Sequence, residues 1–172
     1  MKDLKLQVDS TLLEAALSGT EKGLRMTEIT PTPVGVSRLV RAVHEISVIV
    51  GLVGRNSGSV SLNMSRPLML LLSSRLLGEE QREVSDDNLD AIMEIGNMVA
   101  GSIKESLSST DYAVSEISLP SLVFGREYTV VYARGIMTAA AEFEIAEMPV
   151  LHMSDRFMTT SISLLRRSGS GK

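Results

Sequence analysis

The chain has 172 residues, 44% hydrophobic and 22% charged, the balance of one folded domain of ordinary size rather than a disordered segment. Seventeen Lys and Arg against twenty-one Asp and Glu leave a net charge of −4, and aromatics are 3% with no Trp. A basic surface for nucleic acid and a stacking platform for bases are both disfavoured, and the absence of cysteine excludes disulfides, thiol nucleophiles and Cys-based metal sites.

The two histidines, His44 and His152, lie too far apart in sequence to form a local His-x-x-x-His pair. No metal site of the chain's own is expected from them, although carboxylate-only binding of a hard ion stays open. Met1 to Val8 alternates charged and apolar residues and lacks the apolar core of a signal peptide. The longest apolar runs, Val48–Val53 and Leu68–Leu72, fall far short of the roughly 20 residues that cross a bilayer. A cytoplasmic protein with no membrane partner is the expectation.

In chain order, Leu12, Leu13, Ala16 and Leu17 keep helical spacing between a cap at Asp9 or Ser10 and Gly23. Pro31 and Pro33 force an extended passage. Arg38 to Val53, the turn Gly54–Gly58, and the alternation Val60, Leu62, Met64 read as a β-hairpin. Ser65 (or Arg66) with Pro67 opens a helix that stops at Gly78, and Glu79 to Val84 forms a charged linker. Ser85, Asp86 and Asp87 then supply the cap and acidic first turn of a long helix reaching about Ser108. Strands are predicted at Val114–Leu122, Tyr128–Arg134, Thr138–Ile145 and Phe157–Leu165. This order predicts an α+β fold, a largely antiparallel sheet with helices packed on one side. One domain is expected over residues 1–167, with 168–172 a loose, small and polar tail.

Familiar catalytic motifs are missing. Gly171-Lys172 is followed by no Ser or Thr and no helix, Gly51-Leu-Val-Gly54 lacks the third glycine of a dinucleotide loop, and no Gly-x-Ser-x-Gly elbow occurs. His44 reads as a strand-edge residue.

The long helix is different. On a wheel of 100° per residue, Ile92, Gly96, Val99 and Ile103, with Leu89 and Leu107 close by, form the buried stripe. Asp90, Glu94, Asn97, Gly101, Lys104, Glu105 and Ser108 form the outer band, with Met98 at its edge. Glu94 and Asn97, i and i+3, project a carboxylate and an amide side by side. A solvated face accounts for Asp, Glu, Asn and Lys as ordinary choices. Against it, Asn and Gly are both poor helix formers on the same exposed stripe, where the glycine alone costs about 1 kcal/mol relative to alanine. Close approach of another molecule gives a reason for that cost.

Asp90-x-x-x-Glu94-x-x-Asn97, followed after twenty-two intervening residues by Pro120, resembles the signature of the CheC/CheX chemotaxis phosphatases in residue type and spacing. Glu94-Ile-Gly-Asn-Met-Val-Ala-Gly101 is similar to the family's core helix, and Leu119-Pro-Ser-Leu-Val-Phe-Gly125 to the strand and turn after it. The likeness covers roughly residues 35–165. CheC-type proteins carry a second Glu-x-x-Asn on the first helix, whereas here Leu17 occupies the position three after Glu14, so the chain looks closer to CheX.

The resemblance implies an aspartyl-phosphate phosphatase acting on a phosphorylated CheY-like receiver, with homodimers expected. It implies catalytic roles for Asn97, orienting the attacking water, and for Glu94, pairing with a receiver lysine. Asp90, Met98, Gly101 and Lys104 would contact the partner, and Pro120 would set the shape below the helix. No cofactor of the chain's own is implied, with Mg²⁺ expected in the receiver. The alternative is a non-catalytic receiver-binding or flagellar-switch-like scaffold, and a self-contained metallohydrolase is disfavoured by the missing His and Cys ligands. An edge formed by the apolar strand Thr138–Ile145 is the expected dimer contact.

Overall fold

The computed structural model describes residues 8–149 and 153–165, so His152 and the expected tail at 168–172 lie outside the described residues. Helix α1 spans Ser10–Gly23, α2 Arg66–Leu77 and α3 Asp86–Leu107. The strands are β1 Thr32–Ser37, β2 Arg41–Ala42, β3 Ile46–Val53, β4 Ser57–Met64, β5 Glu116–Ile117, β6 Ser121–Phe124, β7 Tyr128–Thr129, β8 Ile136–Glu144 and β9 Phe157–Leu165. Short 3-10 turns occupy Arg25–Thr27 and Met153–Arg156. The main sheet is antiparallel and runs β1-β8-β9-β4-β3, with β5 and β6 pairing in succession along the outer side of β3. Strands β2 and β7 pair separately.

The helix ends form where the side chains supply partners for unpaired backbone amides. The Leu12 amide donates to Asp9 Oδ1 at 3.0 Å, and the Leu68 amide to Ser65 Oγ at 3.3 Å. Gly78 closes α2 at φ 74°, a left-handed conformation that costs glycine little. Ser85 and Asn88 close a reciprocal capping pair at the start of α3.

Strand alternation sorts the sheet into two faces. Ile46, Val48, Val50 and Leu52 of β3, Val60, Leu62 and Met64 of β4, and Met158, Ile162 and Leu164 of β9 are buried beneath the helices. Helix α1 packs over β8 and β9, and α3 beside it over β3 and β4. This matches the expected architecture. Glycines allow the close contacts within the helical layer. A Cβ at Gly23 of α1 would lie 2.6 Å from Val99 Cα of α3, and one at Gly96 would press into the side chain of Val48.

The opposite face of the sheet is lined by Ser47, Ser59, Ser61, Asn63, Thr159 and Ser161, and the β2–β7 ribbon crosses it over a cavity of about 180 Å³. This strap is pinned to the sheet. Asn63 clamps the His44 backbone, accepting from its amide and donating to its carbonyl, both at 2.9 Å. Thr138 Oγ1 donates to the Arg38 carbonyl at 2.6 Å. Glu45 Oε1 accepts from the Arg66 amide at 3.2 Å and Oε2 from the Arg126 guanidinium at 3.2 Å, joining strap to α2. Burial pushes the Glu45 carboxyl up, but its own amide, the Arg66 amide and the Arg126 charge together hold it below the ordinary carboxylate range. Half-buried His44 has its pKa lowered, chiefly by burial, despite the neighbouring Glu45 and Asp155 carboxylates.

Several expected strands differ. The run Arg38–Val53 is two strands, β2 and β3, because the strap leaves the sheet before His44. The predicted strand Val114–Leu122 is split into β5 and β6, with Ser118, Leu119 and Pro120 between them, since a proline cannot donate to the ladder. The predicted strand Tyr128–Arg134 is only Tyr128–Thr129 and belongs to the strap. The predicted apolar edge Thr138–Ile145 is an interior strand: β8 pairs with β1 on one side and β9 on the other, so it offers no free ladder to a second copy. Among the described residues the open edges are β1 and the β5–β6 side.

The α1–α3 contact gives a direct test. Gly23→Ala is expected to destabilise the fold by about 1–3 kcal/mol, because its methyl meets backbone that cannot move aside, as chemical denaturation would show.

Candidate functional site

Helix α3 is the longest of the three described helices and carries the candidate residues. Asn88, fully buried, fastens its start: its Nδ2 donates to the Glu83 carbonyl at 2.7 Å and to Ser85 Oγ at 2.9 Å. Ile92, Ile95, Val99, Ile103 and Leu107 are buried, and Gly96 rests against Val48 of β3. These contacts fix the helix in rotation as well as in position.

The outer band follows. Asp90 and Glu94 are exposed, Asn97, Gly101 and Lys104 are half-buried, and Glu105 and Ser108 are exposed. Leu89 is half-buried at the margin of the inner stripe, and Ala91, Ile95 and Ala100 widen that stripe beyond the residues the wheel selects. Met98 is half-buried and packs against the core, so the ridge receives only its outer part. Among the described residues neither Glu94 nor Asn97 has a side-chain hydrogen bond or ion pair. An added Cβ at Gly101 meets nothing within 4 Å, so no packing within the fold requires glycine there.

Which flank Asn97 occupies can be read from α1. Ser106, nine residues on and so about 180° around the helix, lies 3.1 Å from Ser18 of α1. Asn97 is therefore on the flank turned away from α1. Because α1 covers β8 and β9, that flank looks toward the β5–β6 edge. Pro120 is half-buried at the break between those two strands. Leu119 beside it is 88% exposed, a feature that residue patterning passes over because an apolar residue in a strand-like run reads as core.

Charge adds a second feature. Asp86, Asp90 and Glu94 stand at successive i, i+4 positions, all exposed. Each like-charged pair costs about 0.2–0.5 kcal/mol, relieved at the first turn by the helix dipole. The ridge thus presents carboxylates leading to an amide that can donate and accept without titrating. Three His, Asp or Glu side chains arranged to hold a metal occur nowhere among the described residues.

An antiparallel sheet layered by helices is the architecture of CheC/CheX-like proteins. The chain belongs to the CheX family: the model of that family, described as chemotaxis phosphatase CheX, matches residues 46–144. Solved structures agree on the fold. The chemotaxis protein CheX of Vibrio vulnificus is 21% identical with a TM-score of 0.72, covering 89% of this chain and 98% of that one. CheX of Desulfovibrio desulfuricans is 20% identical with a TM-score of 0.71, covering 89% and 98%. The CheX–CheY–BeF3–Mg²⁺ complex of Borrelia burgdorferi is 21% identical with a TM-score of 0.69, covering 92% and 99%. No curated protein matches the chain by sequence. Among the described residues no helix is long and apolar enough to cross a membrane.

Gly101→Ala is expected to raise folding stability by about 1 kcal/mol, since the helix gains a better former and the new methyl meets open space. Thermal denaturation of the variant checks this, and a loss of stability would mean that the position is packed.

Proposed function

We propose that this chain hydrolyses the aspartyl phosphate of a CheY-like receiver, with Glu94 and Asn97 as the working pair. The observation carrying this reading is that the two side chains stand on one rigid helical ridge, free of partners among the described residues. Membership of a family of chemotaxis phosphatases supports it, as does the relative captured with CheY, BeF3 and Mg²⁺.

An acyl phosphate is already reactive, so its hydrolysis chiefly lacks a water held in line with the leaving oxygen. Phosphoryl transfer gains most from positioning and charge stabilisation, which suits a site without a nucleophile of its own. Asn97 would accept a hydrogen bond from the water through Oδ1 and orient it. The water oxygen bonds to phosphorus, the bond from phosphorus to the aspartyl oxygen breaks, and the carboxylate leaves. The proton departs with phosphate or to solvent. Glu94, which a phosphate dianion would repel, instead pairs with a receiver lysine and seats the helix over the pocket. Asp90 and Lys104 lie at the rim, Gly101 admits the receiver backbone, and the outer part of Met98 completes the contact. In this reading Mg²⁺ is held by the receiver, and Pro120 shapes the edge beside the helix.

Phosphate release from a CheY-like receiver is expected to accelerate with this protein and to lose at least about a hundredfold in rate with Asn97→Ala. The same substitution leaves stability unchanged or raises it by up to about 0.7 kcal/mol. Turnover unaltered by Asn97→Ala removes the mechanism, and receiver binding with no acceleration by the native chain makes it a scaffold.

A homodimer is also proposed, now through the open β1 edge of the sheet rather than through β8. Sedimentation at micromolar concentration should give twice the chain mass, and a monomer there would exclude it.

A further inference from the structure

The geometry points to Leu119 as an apolar docking residue for the same receiver that Asn97 would serve, an inference that rests on the phosphatase reading. At 88% exposure it is far outside the environment leucine prefers. A single exposed leucine is ordinary on a loose loop. This one is held outward. The Ser118 amide donates to the Gly51 carbonyl at 2.9 Å, the Gly51 amide to Ser118 Oγ at 2.8 Å, and Ser118 Oγ to the Leu119 carbonyl at 2.8 Å. Pro120 fixes its own φ and drives Leu119 toward an extended backbone. An apolar side chain projecting from a held backbone has only its own rotamer freedom to lose on association.

Its place selects the occupant. β5 and β6 flank β3, the strand beneath α3, and α3 also packs against β5. The Asn97 flank of α3 faces this edge, away from α1, so the kink at Leu119 and the Glu94–Asn97 ridge share one margin of the molecule. A receiver seated on the ridge would extend over that margin. Val131, equally exposed, belongs to the connection after β7 in the strap, which crosses the opposite face of the sheet. Leu119 supplies apolar contact where the ridge supplies charge and an amide.

Such a residue sets affinity and not chemistry. With a CheY-like receiver phosphorylated by acetyl phosphate, Leu119→Ser should raise KM about tenfold or more and leave kcat unchanged. Leu119→Met should restore KM to near the native value. Binding of the receiver carrying beryllofluoride should weaken in the same order, and the melting temperature should stay put because the side chain touches solvent. A native KM for Leu119→Ser, or a fall in kcat as large as the rise in KM, overturns the inference. So does a changed sedimentation coefficient with unchanged receiver binding, which would assign the residue to a second copy of the chain. Asn97→Ala run in parallel separates the two claims: if it retains full turnover, the phosphatase reading fails whatever Leu119 does.

Discussion

The rotation of α3 about its own axis is the constraint on which the rest depends. Gly96 lets the helix lie against Val48 of β3, and Gly23 of α1 lets a second helix close on Val99 from the side. Two backbones approaching this closely leave little angular freedom, since packed interiors resist even small changes of volume. The buried stripe from Ile92 to Leu107 then has one place to go, and Glu94 and Asn97 are left facing outward. Positions on the ridge are set by contacts on the reverse side of the same helix.

The ridge itself is ordinary in stability terms and particular in chemistry. A row of carboxylates at Asp86, Asp90 and Glu94 and a poor helix former at Asn97 each cost the helix a fraction of a kcal/mol. The capping pair of Ser85 and Asn88 and the burial of the inner stripe offset these costs. In the proposed reading the substrate brings its own reactive bond and its own metal, and asks the protein for geometry. A helix is a better provider of geometry than a loop.

The helices were legible because each is announced by local chemistry: Asp9, Ser65 and Ser85 as caps, Gly78 as a stop, and a wheel with a clean apolar stripe. The β3–β4 hairpin was legible for the same reason, a polar glycine-containing turn between alternating runs. Misreadings gather where partners distant in sequence decide the outcome. Val130 and Val131 look like strand residues, yet they belong to a strap over a hydroxyl-lined face of the sheet. Strand β8 looks like an exposed edge, yet β1 returns from the other end of the chain's fold to cover it. At the site, residue types and spacing identified Asp90, Glu94, Asn97 and Gly101 as outward positions. The orientation of their flank toward β5 and β6 required the Ser18–Ser106 contact, which no local pattern encodes.

The open space above Gly101, set against the crowding at Gly23 and Gly96, has a consequence for descent. Apart from Met98, which serves both, the residues that keep this helix in place are not those that face outward, so one set can drift while the other is inherited intact. A lineage can rewrite the outward row, acquire a new client, and still fold. Selection on partnership and selection on architecture act here on different letters of the same twenty-two-residue word.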